Sequence, residues 1–154
     1  MAAGAAGAVE ELKFETLRAD REFEVRRYPS HVLVEVEVKG DLESAGHTAF
    51  RPLYRFITGH NEQRAKIQMT APVLQAPQSE GLWRVAFVMP AEGARERWPA
   101  PADERLRLRV EPGGRYAAVR YSGTWSRERF ESHLRKLEQW ITTNGWSAAG
   151  SPIW

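Results

Sequence analysis

Two stretches of alternating polar and apolar residues constrain the fold of this chain more than any other feature. Residues 66–73 place every second side chain on an apolar face, and residues 83–90 repeat that pattern. A period of two is typical of a strand with one buried face. Pro72 and Pro90 lack an N–H donor and therefore belong at the ends or edges of these strands. Because the turn-forming residues 77–81 separate the stretches, the sequence predicts a hairpin at the centre of a sheet.

The length and composition of the chain exclude several classes of protein. Its 154 residues suit one domain with a substantial core, and we expect residues 1–10 to form a disordered tail and residues 11–154 a single domain. The absence of cysteine excludes disulfides and thiolate ligands and is typical of a reducing compartment, so we expect a cytoplasmic protein. The 22 basic and 20 acidic residues are dispersed, which gives no concentrated basic face for nucleic acid. No apolar run approaches the roughly 20 residues of a membrane span.

Several further stretches show the period-two pattern of strands. They are residues 12–17, 22–28, 31–39, 104–110 and 115–121. In the third of these the valines share one face, and the alternation places Glu35 and Glu37 on the opposite face, toward solvent. Residues 91–103 form a proline-bearing loop that is too irregular for a helix.

A first amphipathic helix is expected after the third of those strands. Ser44 can cap it, and Gly59 ends it just after Thr58. Pro52 is expected to kink or divide the helix, because proline removes a backbone hydrogen bond. The residues at helical spacing form one apolar stripe: Phe50, Leu53, Tyr54 and Ile57.

The second half of the chain repeats the plan of the first half. Each half has paired strands, a turn closed by glycine, an amphipathic helix and a glycine terminator. Ser126 caps the second helix and Asn144-Gly145 terminates it. Its predicted buried face consists of Phe130, Leu134, Leu137 and Ile141. Two strands follow the first helix but only a short tail follows the second, so the repeat predicts that roughly one last strand is missing and that a sheet edge is open.

Taken in order, these segments resemble the SOUL haem-binding protein family. The most specific match is Met69-Thr70-Ala71-Pro72-Val73 with Gly59-His60-Asn61 upstream. The other matching pieces are residues 23–29, 50–58, 66–68, 87–90 and 119–123. The resemblance implies an α+β fold, a distorted antiparallel β-barrel or saddle of about eight strands with two helices and a pseudo-twofold repeat. It also implies kinship with the effector-binding domains of bacterial transcription activators.

The chain departs from the family pattern at two places. Members of the family normally continue past the position of Trp154 to a final strand, which agrees with the strand that the internal repeat predicts to be missing. Some members carry a haem-associated histidine just before the tyrosine of the second strand, where this chain has Arg27. Ligation of iron from that position is therefore not expected here.

The resemblance implies a tetrapyrrole site on the apolar face of the first helix. Haem needs apolar surface, an axial ligand for its iron and cations for its propionates. His47 lies on the same side as Phe50 and Tyr54 and is the candidate iron ligand, and Arg51 and Arg55 are candidates for the propionates. The alternatives are a surface histidine, solvated arginines and aromatic residues that pack in the core. We expect Met69, Met89 and His133 to pack structurally rather than bind iron.

These features predict a soluble haem- or tetrapyrrole-binding protein that acts as a carrier, buffer or sensor. One alternative is a binding module for another amphipathic small molecule, as in the effector-binding relatives. A second alternative is a scaffold that forms homodimers through the incomplete sheet edge. The chain has neither a Gly-x-Ser-x-Gly elbow nor a phosphate-binding loop, so no enzymatic activity is expected and tetrapyrrole modification would rest on analogy alone.

Overall fold

The structure is a computed structural model that describes residues 9–92 and 94–154. Its elements, in chain order, are β1 (Glu10–Glu11), β2 (Glu15–Asp20), β3 (Phe23–Tyr28), β4 (His31–Lys39), α1 (Leu42–Ile57), β5 (Thr70–Ala71), β6 (Val73–Ser79), β7 (Leu82–Val88), β8 (Leu106–Glu111), β9 (Gly114–Val119) and α2 (Arg127–Thr143). A short 3-10 turn at Arg95–Arg97 lies in the long loop before β8. Most of the predicted tail, residues 1–8, lies outside the described residues, whereas Glu10 belongs to β1.

The strands form two antiparallel sheets and a short parallel pair. The larger sheet has the order β6-β7-β4-β8, the smaller has the order β2-β3-β9, and β1 runs parallel to β5. Helix α1 packs on β4 and β7, and α2 packs on β9. Within the described ranges no sheet closes into a barrel. The predicted α+β fold with two helices and antiparallel sheets is confirmed, and it takes the saddle form rather than the barrel form.

The central hairpin differs from its prediction in where the first strand begins. The prediction of one strand over residues 66–73 is wrong, because only Thr70–Ala71 and Val73–Ser79 are strands and a cis Ala71–Pro72 peptide separates them. The alternation before Thr70 has another cause. Ile67 is buried in the core, and its backbone N–H donates to the carbonyl of Ile57 at the end of α1. The alternation before Thr70 therefore comes from a loop whose apolar side chains pack on the core.

Helix α1 begins with a reciprocal capping box. Asp41, and not Ser44, is the N-cap, so the predicted cap is wrong. The Asp41 carboxylate accepts a hydrogen bond from the backbone N–H of Ser44, and the Ser44 hydroxyl accepts one from the N–H of Asp41. The first of these bonds lowers the pKa of Asp41. The helix runs through Pro52 without division, since the carbonyl that proline leaves without its donor belongs to Thr48, which faces solvent.

The main core lies between α1 and the larger sheet. The predicted valine face of β4 is confirmed, because Val32, Val34 and Val36 are buried and Val38 packs against them. Helix α1 contributes Ala45, Ala49, Leu53, Phe56 and Ile57. Strand β7 adds Val85 and Phe87, and β8 adds Leu106. Burial of a large apolar side chain in such a core contributes about 1.5–3 kcal/mol, so this layer is the main source of stability.

Helix α2 starts after Ser126 and ends at Asn144 and Gly145, as predicted. Its predicted apolar face is only half-buried, and Trp140 is the one residue of the helix that is buried. The Trp140 ring stacks on Phe23 at 5.2 Å, and its Nε1 donates to Asp20 at 2.9 Å. The apolar face of α2 is only half-buried because the helix covers the smaller sheet chiefly at one strand, β9. Neither described helix is long and apolar enough to cross a membrane.

The end of the chain lies against the edge of the larger sheet. Within the described residues no strand follows α2, but Trp154 and Gln75 exchange two backbone hydrogen bonds of 2.9 Å each. The Trp154 ring also contacts Phe130 and Trp83. In addition, Pro77 brings no N–H donor to β6. The edge of β6 is therefore partly protected against pairing with another chain.

Phe56 provides a direct test of this core. It is fully buried, and Phe56→Ala should lower the free energy of unfolding by about 3–5 kcal/mol because the lost contacts leave a cavity. Val110→Ala is the control, since Val110 is exposed although it lies in β8. Urea denaturation followed by circular dichroism measures both changes. Equal losses in the two variants would contradict the assignment of the core.

Candidate functional site

All five side chains that the sequence singles out lie on the exposed side of α1. They are His47, Phe50, Arg51, Tyr54 and Arg55. Their spacing of three, four and seven residues places them in one band along the helix. The apolar stripe that faces the sheet is instead made by Leu42, Ala45, Ala49, Leu53, Phe56 and Ile57. The prediction of a shared stripe is therefore right for Leu53 and Ile57 and wrong for Phe50 and Tyr54.

Phe50 and Tyr54 form an exposed aromatic pair. Their rings stack with centroids 5.6 Å apart and planes inclined by 15°, and they are 45% and 48% exposed. An edge contact between Phe50 and the buried Phe87, with centroids 5.7 Å apart, anchors the pair to the sheet. Val73 on β6 lies opposite Phe87 in the register and is also exposed. These residues give α1 an apolar flank on the side of β6 and β7.

His47 belongs to the same side of the helix as the aromatic pair. It precedes Phe50 by three residues and Tyr54 by seven, and it is exposed. An exposed imidazole next to an apolar surface can approach a bound metal centre from the helix side. The helical spacing thus places three of the predicted residues, the imidazole and the two aromatic rings, on one side of α1.

The arginines line a cavity on the other flank of α1. The cavity has a volume of about 340 Å³ and is lined by Thr48, Arg51, Pro52, Arg55 and Arg105. Arg105 immediately precedes β8, which lies across β4 from β7. The predicted site is therefore divided. Phe50 points toward β7, Arg55 points toward β8, and Arg51 lies between them on the outer surface of the helix.

Arg105 is a cavity residue that sequence reasoning missed. Its Nε and Nη2 atoms donate to the two carboxylate oxygens of Asp103 at 3.0 and 2.7 Å. These bonds lower the pKa of Asp103 from its ordinary value of 3.8 to about 2. The sequence offered one signal for the ion pair, namely that Asp103 precedes Arg105 by two residues just before a predicted strand. It gave no indication that Arg105 would lie beside α1.

Glu35 is the second residue whose placement the sequence did not indicate. The prediction that it faces solvent is wrong, since it is only 2% exposed, whereas Glu37 is exposed as predicted. Arg109 donates from Nε to its carboxylate at 2.9 Å, and nitrogens of Arg84 and Arg107 lie 3.7 and 3.8 Å away. Alternation assigned Glu35 to the correct face of β4, but it could not show that arginine side chains of β7 and β8 surround it there.

His133, Met69 and Met89 lie in structural surroundings apart from the band on α1. His133 is half-buried, and its ring stacks on Tyr121 with centroids 3.9 Å apart. Burial, with Lys136 and Arg129 nearby, lowers the pKa of His133. Met89 is buried and Met69 packs against the same core, as predicted. These positions have structural surroundings, which leaves the band on α1 as the candidate site.

The chain is similar in sequence to a known protein family and in fold to solved structures. Residues 9–153 match the family described as SOUL heme-binding protein. Among solved structures, the EcmrR C-terminal domain has a TM-score of 0.63 and 14% identity, over 85% of this chain and 80% of that one. A hydrolase from Listeria innocua has a TM-score of 0.57 and 14% identity, over 89% and 86%. Such low identity shows a shared fold alone. No curated protein matches the chain.

The contact between Arg105 and Asp103 predicts a pH dependence. Because the pKa of Asp103 is lowered in the folded protein, the stability that this pair contributes is present above pH 3.8 and is lost as the pH falls toward 2. A carboxyl-carbon NMR titration should show a midpoint of about 2 in the wild type and a value nearer 3.8 in Arg105→Gln. Arg107→Gln is the control, since Arg107 pairs with Glu35 and Glu37 instead. A wild-type midpoint near 3.8 would refute the pairing.

The burial of Glu35 predicts an unequal effect of two similar substitutions. Glu35→Gln removes the buried carboxylate partner of Arg109 and should lower the free energy of unfolding by about 1–3 kcal/mol, since Arg109 keeps its ion pair with Glu111. Glu37→Gln removes a charge from the same face of the same strand, but in solvent, and should cost less than about 1 kcal/mol. Urea denaturation at neutral pH measures both. A loss for Glu37→Gln as large as that for Glu35→Gln would contradict this description.

Proposed function

The chain belongs to the SOUL heme-binding protein family, and from this premise we propose that it binds haem or a related tetrapyrrole on the outer side of α1. The observation that carries the proposal is the stacked pair of Phe50 and Tyr54. The core face of α1 is filled by other residues, and although Phe50 touches Phe87 at one edge, both aromatic rings leave about half of their surface in solvent. Large apolar side chains exposed together commonly mark a surface that binds a partner or ligand.

A flat macrocycle matches the chemistry of this surface. Stacked aromatic rings contribute about 0.5–1.5 kcal/mol beyond the area that they bury. Val73 extends the apolar surface beyond the pair. When haem is bound, its iron supplies a coordination position, and His47 is the residue of this band that would fill it. Arg51 and Arg55 would hold the propionates, because a guanidinium pairs with a carboxylate through two parallel hydrogen bonds.

The openness of the site bears on its role. Tight binding sites for small molecules are usually concave and bury most of their ligand, whereas Phe50 and Tyr54 lie on the surface of a helix. A ligand bound there exchanges readily, which suits a carrier, a buffer or a sensor. We therefore expect an affinity in the range of about 1 μM, which corresponds to roughly 8 kcal/mol. No covalent chemistry is required of these residues, so the proposed role is non-enzymatic. The absence of cysteine favours a reducing compartment, so the proposed location is cytoplasmic.

A second candidate function is a binding module for another flat amphipathic molecule. Stacked rings accept many apolar ligands, and their exposure does not by itself select haem. Thermal stabilisation separates the two candidates, since a ligand that binds only the folded protein raises its melting temperature. Stabilisation by other planar amphipathic compounds, with none by hemin, would favour this second function over the first.

Hemin titration tests the proposed function. The wild type should shift the Soret band of hemin on binding. A Phe50→Ala/Tyr54→Ala double variant should bind at least about tenfold more weakly, because the stacking surface is lost. His47→Ala should retain binding but alter the position of the Soret band, because an axial ligand is removed.

The control for this titration is Trp146→Ala. Trp146 is 39% exposed and follows the end of α2, where its ring meets Trp140 on the smaller sheet, so its removal should leave hemin binding unchanged. A free-hemin spectrum in the presence of the wild type would refute the proposed function. An unchanged Soret band in His47→Ala would refute only the assignment of the iron ligand.

A further inference from the structure

Three guanidinium groups converge on the cavity beside α1. Arg51 and Arg55 reach it from the helix, and Arg105 reaches it from the segment before β8. The Thr48 hydroxyl, a further hydrogen-bond donor, also lines the cavity. Side chains that are distant in sequence thus place one type of charge around one cavity of about 340 Å³.

The positive charge of this cavity is only partly neutralised. Arg105 is paired with Asp103, whereas Arg51 and Arg55 form no ion pair with any acidic side chain of the described residues. Arg105 also lines a neighbouring cavity, whose acidic residues are Glu35, Glu37 and Glu104. The unpaired Arg51 and Arg55 therefore leave an excess of positive charge on the helix side of the cavity beside α1. Such an arrangement attracts an anion.

Asp103 orients Arg105 without exhausting its donors. A guanidinium carries five N–H donors, of which Asp103 takes two through Nε and Nη2. The remaining donors are available to a ligand, and the bidentate pair restricts the motion of the group. Because a carboxylate also accepts two parallel hydrogen bonds, a second carboxylate complements an arginine held in this way.

The cavity lies on the opposite flank of α1 from the aromatic pair that we propose as the binding surface for the tetrapyrrole ring. The aromatic pair lies on the β7 side of α1, the cavity lies on the β8 side, and Arg51 lies between them. We propose that this cavity receives the carboxylates of the bound tetrapyrrole, with Arg105 as a specificity-determining residue. The protein then prefers tetrapyrroles that carry several carboxylates. This inference rests on the proposed function, since it assigns the acidic part of the same ligand.

Iron-free porphyrins test the inference without any contribution from His47. Quenching of protein fluorescence should show that a porphyrin with four carboxylates binds about tenfold more tightly than its tetramethyl ester, because the ester retains the ring but lacks the charges. Arg105→Gln and Arg55→Gln should each weaken binding of the acid about fivefold to tenfold and leave binding of the ester unchanged. High salt should reduce the preference for the acid.

Arg115→Gln is the matched control. It removes the same charge from an exposed arginine of β9, outside the cavity, and should bind the acid as the wild type does. Equal affinity of the wild type for acid and ester overturns the inference and leaves the proposed function intact. An equal loss in Arg115→Gln also overturns it, because the effect would then follow net charge alone. Failure of every porphyrin to bind would refute the proposed function as well.

Discussion

The close packing of α1 on the larger sheet is the interaction on which the rest of the structure depends. Ala45 and Ala49 face the valines of β4, and their small side chains let the helix approach the strands. At the start of the helix, Gln75 of β6 donates from Nε2 to the carbonyl of Leu42 at 2.7 Å. A Cβ at Gly46 would lie 3.0 Å from Oε1 of Gln75, so glycine leaves room for the Gln75 side chain at this position. These contacts fix the rotation of α1 about its axis.

That rotation also creates the candidate site. Once the alanines and Leu53 face the sheet, Phe50 and Tyr54 can only face outward. The same rotation directs Arg55 toward β8, where Arg105 meets it across the cavity. The apolar and the cationic parts of the site are thus two flanks of one helix. A ligand with an apolar ring and acidic substituents would contact both flanks.

The opposite face of the larger sheet shows how the saddle accommodates charge. One part of that face is apolar, where Leu33, Ala86 and Val88 pack together. The other part holds Glu35 among arginines of β7 and β8. Because this region is covered, the carboxylate is stable only with its ionic partners in place. The contrast with the cavity beside α1 is informative. Around Glu35 the charges are balanced within the protein, whereas the cavity retains an excess of positive charge.

The sequence alone determined most of the strands, the two helices and the family, because alternation, helical spacing and the Met-Thr-Ala-Pro-Val segment are local patterns. It also selected the band on α1, since His47 and Tyr54 share a helical side wherever the helix packs. Only the tertiary structure decided that Phe50 faces outward, that Glu35 is buried and that Arg105 lies beside Arg55. Each of these facts depends on how helices, strands and loops that are distant in the chain pack against one another. A periodic pattern shows that a face exists, but burial and charge pairing are set by segments distant in the chain.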